Sequence, residues 1–382
     1  MKTTLTLLLI ALLPSLSWAQ GADAVSLSRL PLQEIIFGGP KGIEFHFVNS
    51  DPSTVTAAQM TVIENQAAKW EQFLTEDRLR EVSPEPGDKI LYQNDAGAYV
   101  TAPMPPIQGN RIVVFVKTYY EAPSPLPADV STLPLNLWPE VAHISKTAAT
   151  TEGGFFTTMD YNRRGKVLPD GVSLGVEFPY FPAICILGIN RWYQTLDPQY
   201  QPHWSATQDS DLAPKQKDMQ AVILHELGHA LGLASGTTTS GGYRNWSLQL
   251  QAHTDDNGVP YESFMGPTVE PYLPLGVILT PNPNDGHIDT TQGGQFPDGA
   301  WSRSAFDYDK SVPCLMINGG GAPPGTVGQG IDLMSLFMLN DMGYKVKVSG
   351  FLNPEIQAEN EAATFHVSES ATFSTGGVSV AP

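Results

Sequence analysis

The chain has 382 residues, 41% of them hydrophobic, a formal net charge of −18, and two cysteines, Cys185 and Cys314. That length can bury a sizeable core and suits one large domain or two ordinary ones. The acidity, unbroken by any Lys/Arg cluster, argues against nucleic acid or an anionic membrane face as a partner, and two cysteines do not make a disulfide scaffold.

The first 19 residues, "MKTTLTLLLIALLPSLSWA", place Lys2 before an apolar run from Leu5 to Leu13, then Pro14 and the small residues Ser17 and Ala19. This is the pattern of a signal peptide cut after Ala19, implying an extracellular or periplasmic protein. The apolar run falls short of the roughly 20 residues a membrane span needs, and no other segment is apolar enough. Loss of Lys2 with the leader takes the formal charge from −18 to −19.

Residues 20 to 40 read as a loose lead-in, and "IEFHFV" (43–48) as a strand. A helix follows, capped by Ser53 or Thr54, with Met60, Ile63, Ala67, Trp70 and Leu74 on the face that packs on a sheet. Strand-like runs come at 89–93, 111–120, 172–178 and 184–189. The order predicts a mixed α+β layer arrangement. Residues 217–233, "KDMQAVILHELGHALGL", are apolar on nearly every side, as a buried helix is, with Pro214 suited to its first turn and Gly232 or Gly236 to its end. From 234 to 330 the chain is rich in loops. A short helix over 331–344 stops at Gly343, and residues 352–382 show no core pattern and read as disorder or linker. The expected organisation is a signal peptide (1–19), one domain (20–348) and a polar tail (349–382).

The chemistry concentrates in "HELGHALGLASG", residues 225–236. Residues four apart on a helix share a face, so His225 and His229 can grip one ion, and neutral imidazole suits zinc. Glu226, one residue past the first ligand, flanks the metal, where a carboxylate can take a proton from water and pass it to a leaving amine. "GLASG" is not a nucleophile elbow, because Ser235 is followed directly by Gly236. His46, His143, His203 and His366 show no partner spacing and read as surface or strand residues.

"HELGHALGL" resembles the extended zinc-binding helix of the metzincins. Downstream, "SRSAFDYDKSVPCLMINGG" (302–320) resembles the Ser-x-Ser-His, apolar, acid and Leu-Met-turn segment of leishmanolysin-like and related bacterial zincins, and "IDLMSLFMLNDMGYKV" resembles their closing helix and strand. The resemblance spans residues 40 to 348, with specificity confined to these motifs. It implies a zincin-like metalloprotease fold: a twisted mixed sheet, a backing helix, an active-site helix and a loop-rich C-terminal subdomain. It also implies Met316 packed beneath the metal, Gly232 as a sharp turn, and a protein or peptide substrate.

The family's third histidine falls at Ala305 here, and the neutral hydroxyl of Ser235 is a poor substitute. A catalytic zinc takes three protein ligands and keeps one open position. Asp307, two residues on in the same loop, is the first candidate for the third ligand. His287 in "NDGHIDT" is the second and His253 the third. The expected function is zinc-dependent peptide hydrolysis, with a binding protein on a zincin scaffold that has lost its catalysis as the alternative. Cys185 and Cys314, the latter two residues before Met316, are expected to pair across the floor of the cleft, the alternative being two buried thiols.

Overall fold

Residues 111–119 and 184–190 are apolar at nearly every position because the sheet they build is covered on both faces. The computed structural model describes residues between Leu32 and Val346, apart from segments of which the longest are 35–41, 132–138, 151–180 and 235–243. In chain order the elements are β1 (Leu32–Glu34), β2 (Gly42–Val48), α1 (Ala57–Phe73), β3 (Lys89–Gln93), β4 (Tyr99–Pro103), β5 (Arg111–Tyr119), β6 (Ala142–Ser145), β7 (Ala149–Thr150) and β8 (Ile184–Asn190). There follow α2 (Met219–Ala230), α3 (Arg244–Ser247), β9 (Leu250–Thr254), β10 (Pro260–Phe264), β11 (Val277–Ile278), β12 (Ser302–Arg303), β13 (Ser311–Val312) and α4 (Leu333–Asp341). The architecture is α+β, and all these elements fall in one compact unit, Pro31–Pro382.

The main sheet has the order β1-β2-β5-β8-β6. Strands β2, β5 and β8 run parallel, while β1 and β6 pair antiparallel at the two edges. Because side chains alternate along a strand, the central strands β5 and β8 feed two cores. Ile43, Phe45, Val114, Val116, Cys185 and Leu187 join residues of α1 and α2 in the larger one, and Val113, Phe115, Ile184 and Ile186 meet Ile90, Met104 and Ile107 in the smaller.

Helix α1 begins at Thr56, not at Ser53 or Thr54. The Thr56 hydroxyl accepts from Gln59 N while the Gln59 side chain accepts from Thr56 N, a reciprocal cap. Its buried face carries Val62, Ile63, Gln66, Ala67, Trp70 and Phe73. Trp70, fully buried, donates its indole N–H to Leu224 O at 2.9 Å and so ties α1 to α2. Below the helices, β9, β10 and β11 form an antiparallel sheet, β12 pairs with β13, and Gly343, at φ 95°, ends α4 as expected. The strand-like run at 172–178, the leader at 1–19 and the tail at 349–382 lie outside the described residues. No helix among the described residues is long and apolar enough to cross a membrane.

The expected disulfide is absent: Cys185 and Cys314 are both free thiols and both buried. Cys185 sits mid-strand on the helix-facing side of β8, and the Cys314 thiol is engaged with Ser335 and Asp332. Burial pushes the Cys314 thiol well above its ordinary value, with the Asp332 charge adding to the effect. A thiol assay on denatured, unreduced protein should therefore find two reactive thiols per chain, and none would show that the pair forms.

At the end of α4, the Asp341 carboxylate accepts N–H bonds from Thr268 (2.8 Å) and Val269 (3.1 Å), fastening the turn after β10. Burial pushes this carboxyl from 3.8 up to about 7, against the downward pull of those bonds. The folded protein then keeps a proton that the unfolded chain releases between about pH 4 and 7, so stability from this group falls as pH rises through that window and levels off above it. Asp341→Asn should flatten that part of the stability–pH curve. Equal slopes for wild type and variant in denaturant melts would count against it.

Candidate metal centre

Helix α2 starts at Asp218, whose carboxylate caps Gln220 N (2.9 Å) and also accepts from Gly328 N (2.8 Å). Pro214 lies in a separate turn ahead of it, closed by Gln216 N on Ala213 O, and not in the first helical turn. Every residue of the helix except Gln220 is buried, which is why the segment reads as apolar on all sides. At its end Gly232 takes φ 102°, a conformation that disfavours side chains. Gly232 N then reaches His229 O (2.9 Å) and Leu233 N reaches Gly228 O (3.0 Å), the paired bonds of a Schellman motif. That turn also sends the Leu233 carbonyl back to the helix, where it accepts from His229 Nδ1 at 2.9 Å.

His225 is held in the same manner from a different segment: its Nδ1 donates to Leu315 O at 2.7 Å. In the neutral form both rings carry their proton on Nδ1 and present a lone pair at Nε2. Those two Nε2 atoms are 3.0 Å apart, and His287 Nε2 lies 3.1 Å from the first and 3.0 Å from the second. Two lone-pair nitrogens cannot satisfy each other at that distance, whereas a cation between them can. A tetrahedral ion with nitrogen bonds of about 2.0–2.1 Å separates its ligand atoms by about 3.3 Å, close to this spacing. The three histidines can thus hold a metal ion, and they are the cluster among the described residues that can. Burial pushes the His225 imidazole down to about 4, opposed by its bond to Leu315, so the ring is neutral and ready to ligate at ordinary pH.

His287 arrives by backbone geometry. Gly286, at φ 65°, turns the chain just before it. Its own carbonyl accepts from Thr280 N (2.8 Å), Asp289 N reaches Ile278 O (2.9 Å), and Ile288 N reaches Met316 O (3.1 Å). The residue is strung between β11 and the 314–317 turn. Met316 itself is fully buried under α2: a Cβ on Gly228 would stand 2.6 Å from its sulfur, so the glycine inside the motif makes room for the methionine.

Glu226 is 7% exposed, and one of its carboxylate oxygens accepts from Ile144 N at 2.8 Å. Ile144 belongs to β6, the edge strand. Val141 O bonds Asn190 N on the β8 side, so the backbone at 142 and 144 faces away from the sheet, toward α2.

The structure gathers His225, Glu226, His229, His287 and Met316 in one place. Asp307 and Ser235 lie outside the described residues. Ala305 is buried, its N–H on Ile331 O, and carries no ligand atom. His253 is elsewhere, bonded to Ser263 Oγ (2.8 Å) and stacked on Tyr261 in the β9–β10 hairpin. His46 is a buried residue of β2, not a surface one, and bonds Glu44, which Arg111 also holds. The groups that sequence reading missed, the carbonyls of Leu233 and Leu315 and the amide of Ile144, are main-chain atoms that no residue type announces. The chain matches no protein-family model and no curated protein. His287→Ala should lower the affinity for added Zn²⁺ or Co²⁺ at least tenfold while Asp307→Ala leaves it near wild type; the reverse order would return the third position to Asp307.

Proposed function

We propose that the protein is a secreted zinc endopeptidase of the zincin type, with His225, His229 and His287 as ligands and Glu226 as general base and then general acid. The observation that carries this reading is the convergence of three imidazole Nε2 atoms, two of them from the helix that also carries the buried Glu226. Bound zinc supplies Lewis acidity, polarising a carbonyl and lowering the pKa of water to about 7. Glu226 takes the proton from the attacking water and delivers it to the departing amine. The Ile144 amide holds one carboxylate oxygen and so fixes the orientation of the group. Secretion rests on the leader-like residues 1–19.

The competing expectation, a zincin scaffold that binds without catalysing, rested on the alanine at 305. His287 supplies an imidazole where that reading had none. Glu226→Gln should keep zinc, since it removes no ligand, but lose about 100- to 10,000-fold in the cleavage of a quenched fluorescent peptide. Wild-type activity should vanish with a chelator and return with zinc. A Gln variant as active as wild type would defeat the mechanism, and a wild type that binds zinc without any cleavage would favour the binding protein.

A further inference from the structure

We infer that Asp332 is a positioning residue for the metal centre, holding the turn from which two of the three histidines take their orientation. The inference rests on the reading of those histidines as ligands. Asp332 is fully buried, at the N-terminus of α4. One carboxylate oxygen does the work of a helix cap, accepting from Ser335 N (2.9 Å) and from Ser302 Oγ (2.9 Å). The other accepts from Ser335 Oγ (2.7 Å) and, 17 residues back in the chain, from Leu315 N (2.7 Å). A cap alone needs only the first oxygen.

Leu315 is the residue whose carbonyl holds His225 Nδ1, and the next carbonyl, of Met316, receives the N–H of Ile288 beside His287. Asp332 therefore fixes the N–H end of a four-residue turn whose carbonyl ends aim His225 and His287. His229 is independent of it, because its acceptor Leu233 belongs to the end of α2. A buried carboxylate with four N–H and O–H donors and the Cys314 thiol beside it is a rigid anchor, and it stands directly behind the Leu315 carbonyl that orients His225, a kind of ligand partner worth about 10- to 100-fold in metal affinity.

Asp332→Ser separates the two roles, since serine caps a helix but is too short to reach Leu315. Two readouts suffice: the Nδ1–H proton signals of His225 and His229 in metal-free protein by NMR, and Zn²⁺ affinity by chelator competition. The expected result is loss or fast exchange of the His225 proton with the His229 proton retained, and zinc affinity reduced about 10- to 100-fold. Leu336→Ala, which loosens the same helix with Asp332 intact, should lower the melting temperature yet leave both protons and the affinity in place. Should Asp332→Ser fail to fold, Asp332→Asn is measured in the same way, with a smaller loss in the same order. Wild-type signals and affinity in the folded variant would overturn the inference, as would equal loss at both histidines. If the wild-type protein binds no zinc, the endopeptidase reading falls, and the proton comparison still decides the role of Asp332.

Discussion

Two imidazole lone pairs held 3.0 Å apart in a buried site repel each other, and the surrounding fold is arranged to keep them there. Each ring is turned by a main-chain carbonyl, one from the end of the same helix and one from a turn 90 residues later. Bringing that distant turn beneath the helix requires Met316 to sit against Gly228, and the helix in turn is fixed from above by Trp70 and from its start by Asp218. A cation bound among the three histidines would offset that repulsion, and binding there would then be coupled to folding.

The sheet contributes by ending where it does. Its parallel strands need helices on one face to cover them, which places α2 against β8 and next to the antiparallel edge strand. The Glu226 carboxylate then meets the outer side of β6, and the main chain of that strand becomes part of the site. Among the described residues no strand pairs with that side, and the strand, only four residues long, gives the outward Ile144 amide to a carboxylate instead.

Much of this was legible from the residues. The strands at 111–119 and 184–190 declared themselves by β-branched residues and the one at 89–93 by a short apolar stretch, and the two motif histidines and Glu226 by helical spacing. Gly232 and Gly343 marked helix ends because their left-handed backbone has no cheap substitute. The start of α1 was misplaced by two or three residues, since several adjacent polar residues could cap it and only the reciprocal bond with Gln59 selects Thr56. Asp307, nearer in sequence to Ala305, lies outside the described residues, whereas β11 and the 314–317 turn bring His287, 18 positions upstream of Ala305, to the two motif histidines. The cysteines were misjudged for a related reason: compartment suggests chemistry, but each thiol had already been assigned a packing role.

The use of backbone carbonyls to fix the histidine tautomers sets how this site can vary. When a carboxylate side chain orients a ligand, one substitution removes it; a carbonyl is present whatever residue occupies the position. Leu233 and Leu315 can therefore change identity without altering the acceptor, provided their packing keeps the chain in place. Alteration of the site has to come through shape, from a glycine that gains a side chain or an anchor that lets a turn drift, and the ligands' hydrogen-bond partners would be invisible to any comparison that reads side chains alone.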